Sequence, residues 1–297
     1  MTQHIFNRAS LTDLFKQRCG YDPDFDNPQT FNEKVFFRKF HDRRNILVDM
    51  TGKITARSIA LATCSQVGII PFITPRLMKW GNFSLPLVMK PTNKSGQTRI
   101  IKTKQEYEDT YARLMQIKDS HYGIEKGEWA YSQVPFQILL EPVIQGFIEC
   151  HFYCFSGQCA MFICVEPYQS LPGRPTSRGP GSFTLFDSQG LQIPASIEGR
   201  PTKPLPAIPV PELVAMAERL SCGLDFVRVD LLYTPEKTWF SEYTFYPSSG
   251  CYNWRPHSFD RWLGDRWVDQ LDQIFRNTHS PDPTNDPDFD RKLGGLW

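Results

Sequence analysis

The chain has 297 residues, of which 40% are hydrophobic and 22% are charged, which is typical of a globular protein and not of a disordered one. Its net charge of +1 gives no reason to expect nucleic acid or an anionic membrane as the main partner. The sequence has no apolar run of the roughly 18 residues needed to span a bilayer, and its first residues lack the apolar core of a secretory signal. We therefore expect a cytoplasmic protein without a membrane span.

Eight cysteines occur without a CxxC pair, which indicates reduced thiols instead of a disulfide framework. Four of them lie close together between Cys150 and Cys164. Three of these four lie within aromatic and aliphatic strand sequence, which favours small buried hydrophobic residues. A metal site is the alternative.

The first 75 or so residues are predicted to be mainly helical. Ser10 has the signature of an N-cap, with Asp13 three residues later, and Gly20 ends that helix. The capping signature recurs at Thr30–Glu33. A third helix is predicted from Ile54 to Gln66.

Strands and helices alternate from about residue 83 to residue 165. The predicted elements there are strands at 85–89, 98–102 and 137–140, a helix at 104–115, and an aromatic strand region at 149–165. A Pro/Gly/Ser-rich segment at 167–211, interrupted by Ser182–Phe186, is typical of a lid or a linker. An amphipathic helix at 211–220 and a Trp-rich helix from Phe259 follow.

A hairpin in the last third of the chain brings two carboxylates together. Phe226–Tyr233 and Thr238–Tyr246 are rich in β-branched and aromatic residues, and the residues between them are typical of a turn. Because side chains alternate faces, Asp230 shares a face with Arg228 and lies opposite Glu242. Like charges so placed destabilise a sheet unless positive charge lies between them. Oxygen ligands favour Mg²⁺, which usually also carries phosphates; the alternative is a surface hairpin whose acids are solvated or paired with Arg228.

A second candidate site begins at Lys90, where a strand ends in a polar loop containing Gly96 and a second strand returns to Lys102. Such loops bring backbone amides and a lysine to phosphate oxygens. The spacing is not that of a Walker P-loop, and no helix follows. The alternative is a solvated lysine beside a turn. Downstream, an apolar strand leads into a bent segment at 137–146, which either meets an adenine edge or is an ordinary strand end.

Taken in order, these stretches resemble the ATP-grasp superfamily, and specifically its TupA-like branch. The matching stretches are 27–34, 53–57, 88–90 with 93–96, 153–157, 226–231, and 242–250 with 263–264. The resemblance implies an α+β ATP-grasp fold of three subdomains, with the nucleotide held between the middle and C-terminal ones. The implied boundaries are 1–80 for a mainly helical subdomain, 81–145 for the middle subdomain with the phosphate loop, and 146–297 for the C-terminal subdomain with the lid segment 167–211 and the metal-binding hairpin 226–246.

The resemblance also implies roles for individual residues toward ATP. The implied positions are Lys53 and Lys90 for the phosphates, Asn93, Lys94, Ser95 and Gly96 for the loop over them, Glu141, Pro142 and Ile144 for the adenine, and Glu149 for the ribose. Lys94 adds a charge to a loop that is usually richer in glycine in this branch.

Roles at the reacting end of ATP follow from the same resemblance. Asp230 and Glu242 match the Mg²⁺ ligands, and Thr244 stands where the superfamily often has asparagine as a third ligand. Arg228 and Lys90 match the catalytic cations, with Arg228 steadying an acyl phosphate.

The activity implied is ATP-dependent ligation of a small-molecule carboxylate to an amine through an acyl phosphate, in the biosynthesis of a peptide-like natural product or a cell-envelope polymer. The lack of a GxSxG elbow or a catalytic cysteine motif agrees with catalysis by positioning and charge. Three alternatives stay open: a kinase acting on a small-molecule hydroxyl, a glycosyltransferase acting on surface polysaccharide, and a nucleotide-binding module without turnover.

Overall fold

The computed structural model describes residues 7–74, 84–118, 122–165, 182–198 and 200–268. The α-helices are α1 Arg8–Cys19, α2 Phe31–His41, α3 Asn45–Thr51, α4 Thr55–Thr63, α5 Lys104–Gln116, α6 Trp129–Gln133, α7 Val210–Leu220 and α8 Ser258–Gly264. The strands are β1 Gly68–Ile69, β2 Leu87–Pro91, β3 Arg99–Ile101, β4 Ile138–Pro142, β5 Ile148–Phe155, β6 Gln158–Val165, β7 Phe183–Asp187, β8 Ser196–Ile197, β9 Phe226–Tyr233, β10 Thr238–Thr244 and β11 Trp254–Arg255. Two 3₁₀ turns lie at Ile124–Lys126 and Pro247–Gly250.

The N-terminal helices follow the prediction with three corrections. Asn7, and not Ser10, caps α1, because the Asn7 side chain accepts hydrogen bonds from two backbone N–H groups of the first turn. The capping box at Thr30–Glu33 is confirmed. The helix predicted from 54 to 66 is shorter, since the extended backbone of Cys64 ends it, and α3 was not predicted.

Six strands form the larger sheet, in the order β1-β10-β9-β5-β6-β7. All neighbouring pairs are antiparallel except β1 and β10. The aromatic region 149–165 is therefore a hairpin, and it turns at Ser156 and Gly157, whose φ angles are 47° and 77°. Two successive residues with positive φ match the twist of antiparallel strands. The carboxylate hairpin β9-β10 lies next to β5 in this sheet.

A smaller sheet, in the order β3-β2-β4, carries the segment with Lys90. It has its own core with α5, formed by apolar residues such as Leu87, Met89 and Leu114. Helices α2, α3 and α4 instead share the large core of the six-stranded sheet, where the ring of Phe31 contacts that of Phe226 at a centroid distance of 5.0 Å, whereas α1 packs in a separate cluster with Phe25 and Phe36. The subdomain boundaries themselves stay a prediction.

The clustered cysteines are buried within β5 and β6, as small hydrophobic residues would be. The described part of the predicted lid begins with β7, which pairs with β6 and buries Leu185 and Phe186. Residues 167–181, including Arg174 and Arg178, lie outside the described residues. The Trp-rich helix predicted from Phe259 to about Phe275 is shorter than expected, since α8 ends at Gly264, and the part predicted beyond residue 268 lies outside the described residues. Within the described ranges, no helix combines the length and apolar character that crossing a bilayer requires.

Candidate functional site

The predicted pairing of Asp230 with Glu242 is present. Cross-strand register places the two residues directly opposite each other, and the register shifts between Phe240 and Glu242. Asp230 is almost fully buried, whereas the Glu242 side chain is 35% exposed. The Asp230 carboxylate is therefore held inside the sheet, and the Glu242 carboxylate is partly exposed to solvent.

Arg228 supplies the positive charge between these carboxylates. Its Nε donates to Oδ1 of Asp230 at 2.7 Å and its Nη2 donates to Oδ2 at 2.5 Å. Nη2 also donates to the Thr244 hydroxyl at 3.1 Å and lies 3.6 Å from Glu242 Oε1. The pairing with Arg228 that the sequence left open is thus correct, but the hairpin is buried and not a surface hairpin. Burial disfavours the charged form of Arg228, but the negative charge of Asp230 outweighs this effect and raises the pKa of Arg228 well above its ordinary value.

Strand β5 adds two polar side chains to the same face of the sheet. His151 lies directly opposite Asp230, so His151, Asp230 and Glu242 form a row across β5, β9 and β10. His151 Nε2 is 2.8 Å from Glu149 Oε1 and 3.7 Å from Asp230 Oδ2. Burial opposes ionisation of Glu149, but the contact with His151 lowers the pKa of this carboxyl below its ordinary value.

Two cations meet at the buried carboxylate of Glu141 on β4. Lys90 Nζ lies 2.8 Å from Glu141 Oε2, and Arg57 Nη2 donates to Oε1 at 2.5 Å. The Lys90 side chain is 15% exposed, so it is not a solvated surface lysine. The Glu141 side chain is therefore paired with both of these cations.

Lys53 joins this group from the turn before α4. Its ammonium donates to the carbonyl of Lys94 at 2.9 Å and lies 3.5 Å from that of Thr92. Burial lowers the pKa of Lys53 to about 8, with Glu242 opposing this effect and Lys90 reinforcing it. Because the charges of Glu242 and Lys53 interact, the group of Lys53, Lys90 and Glu141 lies near the carboxylates of the large sheet, and the region between the two groups is called the cleft below.

The loop Asn93–Gly96 forms one wall of this cleft. Asn93 and Lys94 are buried, Ser95 and Gly96 are exposed, and Gly96 has a φ of 72° that favours glycine. The ammonium of Lys94 lies 6.0 Å from the ring centroid of Tyr122. The exposed part of the loop is therefore its glycine end, and the added lysine is turned inward.

The sequence matches a known family. The profile described as TupA-like ATP-grasp matches residues 33–268, well over half of the chain. The chain belongs to the TupA-like ATP-grasp family. The predicted resemblance and the predicted α+β ATP-grasp fold are confirmed. No curated protein matches the sequence.

Among solved structures, this TupA-like chain is distantly similar to D-alanine–D-alanine ligases. The Helicobacter pylori enzyme is 16% identical with a TM-score of 0.46, and the match covers 84% of this chain and 69% of that chain. The Bacillus anthracis enzyme complexed with ATP is 16% identical with a TM-score of 0.44, and the match covers 77% and 68%. Similarities this distant say nothing about the activity of the present chain.

One TupA-like motif, Asn32 to Lys34, has a structural role in this chain. The Asn32 backbone and side-chain amides both donate to Asp260 on α8, at 3.0 and 2.8 Å. Lys34 donates to the carbonyls of Gly264 and Trp267. The motif therefore ties α2 to the C-terminal helix and lies outside the cleft.

Two residues of the cleft had no role in the sequence-based prediction. Arg57 was part of a matching stretch, but only the fold shows that it meets Glu141. His151 could have been found by its alternation with Glu149 along a strand, which places both on one face. The structure brings Lys90 to Glu141 and Lys53 to the loop with Lys94, and it brings together Glu149, Arg228, Asp230, Glu242 and Thr244 on the large sheet; the roles of these residues stay a prediction.

Proposed function

We propose that this TupA-like ATP-grasp protein is an ATP-dependent ligase that couples a small-molecule carboxylate to an amine. The observation that carries the proposal is the cleft in which Lys53 and Lys90 face the Asp230–Glu242 pair with Arg228 between the two acids. Cations on one wall and carboxylates on the other match the needs of phosphoryl transfer, which is catalysed mainly by positioning and charge.

In this proposal the small sheet binds the nucleotide. Lys53 and Lys90 neutralise phosphate oxygens, and the loop Asn93–Gly96 covers them. Glu141 positions Lys90 by its 2.8 Å ion pair. The backbone after β4 meets the adenine.

The carboxylates of β9 and β10 fit a magnesium ion, since Asp230 and Glu242 offer hard oxygen donors from adjacent positions and the Thr244 hydroxyl lies beside them. Bound there, Mg²⁺ would supply positive charge to the phosphates of ATP. Arg228 holds Asp230 in place through two hydrogen bonds and can offer its guanidinium to the transferred phosphoryl group.

The proposed reaction has two steps. An oxygen of the substrate carboxylate attacks the γ-phosphorus, the bond to the β-phosphate oxygen breaks, and ADP leaves. The amine nitrogen then attacks the acyl carbon of the acyl phosphate, phosphate leaves with the C–O bond electrons, and the nitrogen loses a proton. The product is an amide of a peptide-like small molecule or a cell-envelope polymer precursor.

The test measures ADP and inorganic phosphate separately while pools of amino acids, sugar acids and amines are added with Mg-ATP. A ligase releases phosphate only when both a carboxylate and an amine are present, whereas a kinase forms ADP without releasing phosphate. The Asp230→Asn variant is the control for contaminating activity. ATP binding without any turnover across the pools would leave a nucleotide-binding module as the better description.

A further inference from the structure

A histidine and two carboxylates converge beside the proposed magnesium ligands. One oxygen of Glu149, Nε2 of His151 and one oxygen of Asp230 all lie within 4.8 Å of one another. The separations from Nε2 are 2.8 Å to Glu149 and 3.7 Å to Asp230. Three atoms of the kinds that bind metals thus surround one point of the sheet.

Regular strands, and not loops, hold these atoms together. Glu149 and His151 are two residues apart on β5 and so share a face, and His151 is the register partner of Asp230 on β9. Both strands are internal to the six-stranded sheet. Side chains on such rigid elements keep the spacing that a metal site requires.

The environment of His151 is unusual for a purely structural residue. It is only 8% exposed, and its Nδ1 is buried without a hydrogen-bond partner among the described residues. Its paired nitrogen, Nε2, is the one directed at the carboxylates.

The charged side chains around His151 are mainly carboxylates. Glu149, Asp230 and Glu242 are three carboxylates on one face, whereas two cations act on them: Arg228 forms an ion pair with Asp230 and approaches Glu242, and Lys53 interacts with Glu242. A divalent ion would offset the excess negative charge. Oδ2 of Asp230 can bind such an ion while it accepts from Arg228, because each carboxylate oxygen has more than one lone pair.

We propose that Glu149, His151 and Asp230 form a divalent metal site with mixed nitrogen and oxygen ligands, which selects Mn²⁺ or Co²⁺ over Mg²⁺. Imidazole is a poor ligand for Mg²⁺ and a good one for later first-row ions. Ligation requires the lone pair of Nε2, so the ring proton lies on Nδ1, the nitrogen without a described partner. This inference rests on the proposed function, because Asp230 is a ligand in both metal assignments. It also assigns Glu149 to the metal instead of to the ribose of ATP.

The site is tested on the full chain without nucleotide. Mn²⁺ bound to the protein is examined by pulsed electron paramagnetic resonance for coupling to an imidazole nitrogen, and affinities for Mn²⁺, Co²⁺ and Mg²⁺ are measured by calorimetry. We expect nitrogen coupling in the wild type and its loss in His151→Gln and His151→Asn. Both variants should bind Co²⁺ and Mn²⁺ at least about tenfold more weakly, with a much smaller change for Mg²⁺. His41→Gln, which alters an exposed histidine of α2, is the matched control.

Wild-type protein whose bound Mn²⁺ shows no nitrogen coupling would overturn the inference, whether or not the variants fold. So would folded His151 variants that keep the wild-type ratio of Mn²⁺ to Mg²⁺ affinity. The proposed function is tested by a different result. Nitrogen coupling without any ATP-dependent turnover would reject the ligase activity but would support the metal site. Turnover with Mg-ATP and no nitrogen coupling would reject this site and keep the ligase.

Discussion

Asp225 joins the N-terminal helices to the start of β9, and its removal should destabilise the whole fold. Its carboxylate accepts hydrogen bonds from Arg38 at 2.7 Å, Arg44 at 2.8 Å and the indole of Trp267 at 2.9 Å. The side chain is 1% exposed. Arg38 is itself fully buried, and once the Asp225 charge is lost its remaining ion-pair partner among the described residues is Asp42, whose Oδ2 lies 3.5 Å from Nε.

The size of the effect follows from the pKa of Asp225. Burial alone raises the pKa of a carboxyl, but the charges of Arg38 and Arg44 lower that of Asp225 from the ordinary 3.8 to about 2. Because the folded-state pKa is depressed, the stabilisation is complete above about pH 4 and is lost as the pH falls toward 2. At about 1.36 kcal/mol for each pKa unit, the ionised carboxylate contributes about 2 kcal/mol.

The assay is urea unfolding of the wild type and Asp225→Asn between pH 7 and pH 3. We expect Asp225→Asn to be less stable than the wild type by about 2 kcal/mol or more at pH 7, and we expect this difference to shrink steadily below pH 4. Asp265→Asn, which alters an ion pair whose carboxylate side chain is 57% exposed, is the control and should cost less than about 1 kcal/mol. A difference between wild type and Asp225→Asn that does not change with pH would show that packing, and not charge, is responsible.

Three further predictions concern the cleft. Lys90→Ala should weaken ATP binding measured by calorimetry, since Lys90 is held inside the cleft by Glu141, whereas Lys104→Ala on exposed α5 should not; equal effects would make Lys90 a plain surface charge. Asp230→Asn and Glu242→Gln should each lower turnover at least about a hundredfold in folded protein, because each removes charge that holds the metal, and wild-type rates in both would reject the metal assignment. Arg228→Lys keeps the charge but loses the planar fork that grips Asp230, so single-turnover rate should fall while ATP affinity is nearly unchanged; a collapse of ATP affinity with a normal rate would make Arg228 a nucleotide anchor.

The carboxylate hairpin could be predicted from the sequence because its contacts are local. Asp230 and Glu242 are close in the chain, and strand alternation together with a short turn was enough to place them opposite each other. The capping box of α2 is local in the same sense. The cap of α1 was predicted at the wrong residue, because Ser10 and Asn7 are both good capping residues. Which of them caps the helix depends on where the preceding chain turns into the helix.

Arg57 and Glu141 illustrate what local patterns do not contain. They are 84 positions apart, and neither alternation nor capping relates a helix in the first third to a strand in the middle. The parallel pairing of β1 with β10 is of the same kind, because a two-residue strand has no periodicity of its own. Such contacts exist only once the helices and sheets have packed.

Local patterns in the chain were enough to predict the α+β character, the strands and turns that carry the polar residues, and the TupA-like motifs that imply ATP. Tertiary structure alone decided that Arg228 pairs with Asp230 in a buried site, that Glu141 gathers Lys90 and Arg57, and that His151 lies beside Asp230. The physical reason is that strand periodicity specifies a face but not a neighbour. Which strands lie side by side depends on burying one shared apolar core, and that is a property of the whole chain.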